Sequence, residues 1–213
     1  DGIRDYKVTG VQTCALPISA EGVRGDYHIK ATLFDAEKSQ SLPITETSLQ
    51  PYLTKAPYLN LDNPEIAETA KQIKGDETNL YKIAVKIRNW VSSNMTPDPS
   101  ISVPRTATDI FTNRKGVCRD YSTLFTALAR SAGVPTRLCG GIVYAEGRFF
   151  YHAWVECFVG EWVVFDPTLY NKEKPVEYVD ATHIKFAQGD VMQMFKVVAI
   201  VGKLEIKVQQ ATR

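Results

Sequence analysis

The sequence predicts an α+β fold in which a set of helices packs on an antiparallel β-sheet. Three observations predict it. Apolar residues recur at helical spacing from Asn63 to Ala132, and strand-type runs joined by short turns follow from Thr136 to Thr168. Helices and strands segregated in this way make an α+β rather than a βαβ pattern. The third observation is a set of reactive side chains placed in that frame: Cys118 opens the last helix, while His152 and Asp166 lie on the strands.

The first residues are set aside. Asp1 to Ser19 (DGIRDYKVTGVQTCALPIS) resembles a translated sequencing adapter. VTGVQTCALPI back-translates into a common read-primer adapter, and DGIRD into the flow-cell segment before the index. Scars of this kind are excluded from fold reasoning. Residues 1–19, Cys14 among them, are therefore expected to take no part in the fold, and the native N-terminus to be missing.

The 213-residue chain carries a formal net charge of +1, and the charges of residues 1–19 (Asp1, Asp5, Arg4, Lys7) cancel. A near-neutral chain has no electrostatic footprint for nucleic acid or an anionic membrane. No apolar run reaches the length of a membrane span. Cys118, Cys139 and Cys157 remain, and an odd count is no disulfide framework.

Residues 20–61 read as the remnant of a β-rich region and a linker. Tyr27, Ile29, Ala31 and Phe34 alternate with polar residues as in one or two strands. From Ser41 to Leu61 the composition turns to Ser, Pro, Thr and Tyr without a helical period, as in an extended linker. Residues 62–190 form the main domain, and 191–213 a β tail, because Phe195 to Gln209 is apolar and β-branched with a break at Gly202.

Asn63 followed by Pro64 signals a helix start, continued by Ile66, Ala67, Ala70 and Ile73. Lys74-Gly75-Asp76 breaks that helix, and Asp76 is the expected cap of a second one running to about Ser93. There Leu80, Ile83, Ala84, Ile87, Trp90 and Val91 make the apolar face. Thr106 and Asp109 resemble a capping box for a short third helix that Gly116 is expected to end. Asn94-Met95-Thr96 is a formal glycosylation sequon, a triplet that also arises by chance.

From Cys118 to Ala132, Tyr121, Leu124, Phe125 and Leu128 line one face, and Gly133-Val134-Pro135 stops the helix. A thiol in the first turn feels the positive end of the helix dipole and unpaired N–H groups, which favour thiolate. The bland alternative for Cys118 is a small buried hydrophobe. Gly116 before it is expected to leave a substrate room to approach. Asp120 reads as a helix cap rather than a catalytic group. Arg119 and Arg137 read as surface or substrate-rim charges.

Thr136 to Ala145 and Arg148 to Phe158 are strands joined at Glu146-Gly147. In that register Cys139 lies opposite Trp154 and Gly141 opposite His152, so Phe150, His152, Trp154 and Glu156 share a face. Gly140-Gly141 beside His152 marks a place of close approach, which makes Gly141 and Trp154 candidate substrate-binding residues. Trp154 has core packing as its equal alternative. His28 and His183 are read as ordinary structural histidines. A second hairpin follows Phe158. A two-residue loop would turn Asp166 away from His152, whereas a three-residue loop (Val159, Gly160, Glu161) pairs it with Trp154 on the side of His152.

Gly116-Val117-Cys118-Arg119-Asp120-Tyr121-Ser122, His152-Ala153-Trp154-Val155-Glu156 and Phe165-Asp166-Pro167-Thr168 occur in an order that resembles the transglutaminase-like superfamily, over about Asn63 to Thr168. The resemblance implies a papain-like core and acyl transfer on amide bonds through a thioester, by a peptidase, amidase or protein-glutamine transamidase. It makes Cys118 the nucleophile, His152 the general acid/base and Asp166 the orienting carboxylate. The backbone N–H of Cys118 becomes one oxyanion donor.

Papain-like peptidases usually place Asn where Asp166 stands. The paired C-x-x-C ligands of peptide N-glycanases and the acidic calcium loop of animal transglutaminases are not found in the sequence. The expected relatives are therefore bacterial transglutaminase-like proteins with no cofactor and no metal, acting on a protein or peptide in the periplasm or outside the cell. The competing class is a transglutaminase-like binding or scaffolding module without turnover.

Overall fold

The computed structural model describes residues 7–10, 29–32, 34–145, 147–169 and 182–198. Helix α1 (Pro64–Lys74) starts as the sequence predicts: the Asn63 side chain accepts the N–H groups of Glu65 and Ile66, and Pro64 occupies the first turn. Gly75, at φ 58°, ends it. Helix α2 (Leu80–Asn94) is capped by Asn79, which accepts the N–H of Lys82, and not by Asp76. Glu77 has taken the preceding turn by accepting the N–H groups of Thr78 and Asn79, so the helix begins after it.

Helix α3 (Ala107–Asn113) has the predicted capping box, but its left-handed terminal residue is Arg114 (φ 54°) rather than Gly116. The Arg114 guanidinium lies 3.9 Å from the centroid of Phe111 and 4.5 Å from that of Trp90. Cation–π attraction on two stacked rings offsets the conformational cost of that φ. Helix α4 (Cys118–Ser131) is buried from Asp120 to Arg130. Its Leu124 and Leu128 meet Ile66, Leu80, Ile83, Ile87 and Ile110 of the other helices, together with Val155 and Phe165 of the sheet.

Short strands β3 (Thr96–Pro97) and β4 (Lys115–Gly116) pair in parallel ahead of α4. The main sheet holds β5 (Thr136–Ala145), β6 (Arg148–Phe158), β7 (Trp162–Phe165) and β8 (His183–Gly189), in the order β7-β6-β5-β8. β5 and β6 pair in the predicted register, Cys139 opposite Trp154 and Gly141 opposite His152. β6 and β7 pair Phe158 with Trp162, leaving the three-residue loop that turns Asp166 toward His152. β8, which has no turn of its own joining it to β5 in the sequence, pairs with the other edge of β5 and shifts register between Gly140 and Gly141.

Three expectations are corrected. The segment read as an extended linker packs on the domain: Leu49 and Leu59 are buried, and Thr47–Tyr52 forms a 3-10 turn. Its backbone groups find partners at Thr78 and Ala107, and Arg130 reaches the Thr54 carbonyl at 2.6 Å. Buried backbone needs such partners, and this stretch gets them from the domain it wraps. Second, Lys7–Gly10, within the stretch set aside, lies as β1 against β2 (Ile29–Thr32). Third, Val191–Val198 is helix α5, with Val191 and Met194 packed on Leu138, where a β tail is expected. Tertiary packing of one apolar face overrides β-branched propensity there. The rest of residues 1–19 and of the tail, His28 and Cys14 lie outside the described residues.

Candidate active site

Cys118 is the first residue of α4 and half-buried. The turn that presents it is held by Asp120, whose carboxylate accepts the Val117 N–H at 3.0 Å and lies 3.3 Å from the Arg105 guanidinium. Asp120 is thus the cap that the sequence suggests. Gly116 serves it directly: a Cβ there would strike the Asp120 side chain. The glycine makes room for the cap rather than for a substrate.

His152 and Asp166 come together as the sequence predicts. Nε2 of His152 lies 2.7 Å from Oδ2 of Asp166, both buried. Oδ1 accepts the N–H groups of Thr168 (2.8 Å) and Leu169 (3.2 Å), so the chain turning after β7 holds the carboxylate. Burial alone would pull the His152 imidazole down; the Asp166 carboxylate first, and the Cys118 side chain to a lesser degree, hold it above its ordinary range. Burial would likewise raise Asp166, but His152 and then His183 keep it well below the usual carboxylate range. With Nε2 turned to Asp166, Nδ1 is the nitrogen left to the thiol.

His183 is the site residue that sequence reasoning missed. From β8, its Nε2 reaches the same Asp166 Oδ2 at 3.1 Å. The only signal was the alternation of Thr182, His183, Ile184, Lys185 and Phe186, which does not reveal that this strand joins the free edge of β5.

Trp154 is fully buried, stacked with His152 (centroids 6.1 Å apart, 22°) and edge-on to His183 (5.1 Å, 87°). It shields both imidazoles. The close approach foreseen at Gly141 comes from the protein itself, since a Cβ there would meet the Ile184 carbonyl and the Trp154 ring. Arg137 donates to Glu156 at 2.7 Å and lies over Trp162, a packed ion pair rather than a rim charge.

One ligand-type atom from each of His152, Asp166 and His183 lies within 4.8 Å of the others. Two ligands about 2.0 Å from one tetrahedral ion stand roughly 3.3 Å apart. The 2.7 Å and 3.1 Å separations instead suit two N–H donors sharing one oxygen.

Helices packed against an antiparallel sheet, with a cysteine at a helix start and a buried His–Asp pair at the sheet, make the α+β architecture of papain-like proteins. Residues 67–167 match the transglutaminase-like superfamily, and the chain carries a transglutaminase-like domain over that span. A candidate cysteine protease from Cytophaga hutchinsonii has a similar structure: TM-score 0.56 and 26% identity, covering 68% of this chain and 48% of that one. The periplasmic domain of TgpA from Pseudomonas aeruginosa aligns with TM-score 0.48 and 17% identity, over 71% and 56% of the two chains. An uncharacterized Haemophilus influenzae protein is 36% identical over 100 residues, which are 44% of this chain and 26% of that protein. The chain thus spans about a quarter of that relative's length. No helix among the described residues is long and apolar enough to cross a membrane.

Proposed function

We propose that the protein is a cysteine-dependent enzyme that transfers acyl groups from amide bonds of a protein or peptide through a thioester. The reading rests on one observation above all: a buried imidazole takes Asp166 on Nε2 and is held above its ordinary range, with Cys118 at the start of α4 among the groups that raise it. His152 takes the thiol proton, and the thiolate adds to the amide carbonyl carbon. The resulting oxyanion is met by the Cys118 N–H at the open start of α4. As the C–N bond breaks, His152 returns its proton to the leaving amine, and the acyl group stays on sulfur. Water or a second amine, deprotonated by His152, then attacks the thioester and frees the thiol. Asp166 stays ionised throughout and steadies the imidazolium.

The test is turnover of casein, and of a glutaminyl peptide with an added amine, by the parent and by Cys118→Ala. The parent should release peptides or incorporate amine, and the variant should do neither. Equal activity in the two proteins would refute the proposal.

A further inference from the structure

We infer that His183 is a positioning residue for the proposed reaction, acting through Asp166 to fix the carboxylate and to limit how strongly it holds His152. The inference rests on the acid/base reading of His152 and adds a residue to it. An ionised carboxylate offers about four acceptor sites, and Asp166 fills them with Thr168 and Leu169 N–H on Oδ1 and two imidazole nitrogens on Oδ2. Such a carboxylate cannot rotate away from His152. It also cannot give His152 all the electron density of Oδ2, because the His183 Nε2–H draws on the same oxygen.

The sheet places His183 for this. Val143 pairs with His183 across β5 and β8, and Gly141 pairs with His152 across β5 and β6, so both imidazoles project from one face. Trp154 packs against both, flat to one and edge-on to the other, and the two imidazoles meet edge-on with centroids 5.6 Å apart. Among the described residues, the charged and titratable groups about the pair include Asp166 following β7, His152 on β6, and Cys118 at the start of α4. Lys185, two residues along β8, is turned to Glu156 at 2.6 Å. The Thr182 hydroxyl lies 3.4 Å from Nδ1 of His183.

An imidazolium bound too tightly to its carboxylate is a poor acid toward the leaving amine. Loss of the His183 donor leaves Oδ2 to His152 alone and strengthens that hold. The experiment follows the His152 imidazole by NMR titration of the full chain labelled with 15N-histidine, beside kcat and KM. His183→Phe and His183→Asn, neither of which places a donor on Oδ2, should raise the His152 midpoint by about one unit. They should also lower kcat roughly tenfold with KM little changed. His183→Gln, whose amide N–H can stand in for Nε2–H, should titrate and turn over near the parent. An unmoved midpoint in the Phe and Asn variants, or a Gln variant as shifted as they are, would overturn the inference. So would failure of both to fold while Gln folds, because the role would then be structural. The titration reads His152 without turnover, so an inactive parent would count against the proposed reaction and leave the His183 result standing.

Discussion

The carbonyl oxygen of Ile184 occupies the place where a Cβ on Gly141 would have to sit. β8 can close on β5 only because that side chain is absent, and the register shift beside Gly141 is where the two strands adjust. The Trp154 ring closes the same spot from within the sheet face. Gly141→Ala must therefore move β8 or Trp154, the two elements that set His183 against Asp166. The expected cost is about 1–3 kcal/mol, as for other overpacked sites, read as a lower urea midpoint. Unchanged stability and an unchanged His183 environment would show that the strands yield without cost.

The three described thiols should differ sharply in reactivity. Cys139 and Cys157 are wholly buried; burial pushes Cys139 well up and Cys157 up to about 12. Cys118 is half-buried at the start of α4. Iodoacetamide at neutral pH should modify Cys118 first, and the other two should react only on unfolding. Peptide mapping by mass spectrometry distinguishes the sites, and equal labelling of all three would favour the scaffolding reading.

Much of this site was legible because its parts are fixed by local rules. The pairing of Ala145 with Arg148, which the sequence signals as a short hairpin, sets the β5–β6 register, so Gly141 had to face His152. The alternation of a strand made the side on which Asp166 emerges a matter of one loop residue, and the three-residue loop decides it. What could not be read depends on contacts between distant segments. β8 gains its place from the free edge of β5, so the role of His183 has no local signature. Gly116 looked like an opening for substrate because its neighbour Asp120 folds back on it only in three dimensions. Arg114 in a left-handed conformation relies on Trp90, a full helix earlier in the chain.

The His152–Asp166 pair should leave a pH signature on stability. Asp166 is depressed in the fold, so its contribution is present above its unfolded value of about 4 and is lost as pH falls through the folded one. His152 is raised, so its contribution is full below its unfolded value of about 6.5 and is lost as pH rises through the folded one. The pair therefore stabilises most between about pH 4 and about pH 6.5. Urea midpoints of the parent, taken relative to His152→Gln, should decline as pH rises from about 6.5 to about 9. A difference that stays flat over that range would mean that His152 is not held charged by Asp166.

The Cys118, His152 and Asp166 substitutions test the proposed chemistry as a unit. Cys118→Ala should abolish turnover, because Cys139 and Cys157 are buried and cannot form the thioester. His152→Ala should be nearly as severe, since the thiol loses its base and the amine would leave unprotonated. Asp166→Asn is the subtler case. The amide keeps the shape, but it carries no charge to support the imidazolium and can offer N–H where Oδ2 now accepts from His152 at 2.7 Å. The imidazole tautomer would be mis-set, at a cost on the order of a hundred- to ten-thousand-fold in kcat. Adding His152→Ala to Cys118→Ala should change almost nothing, because groups that act in one step are not additive. Each variant should be compared by circular dichroism, so that loss of activity is separated from loss of fold. Independent, additive losses from His152→Ala and Asp166→Asn would show that the two residues do not act through one another.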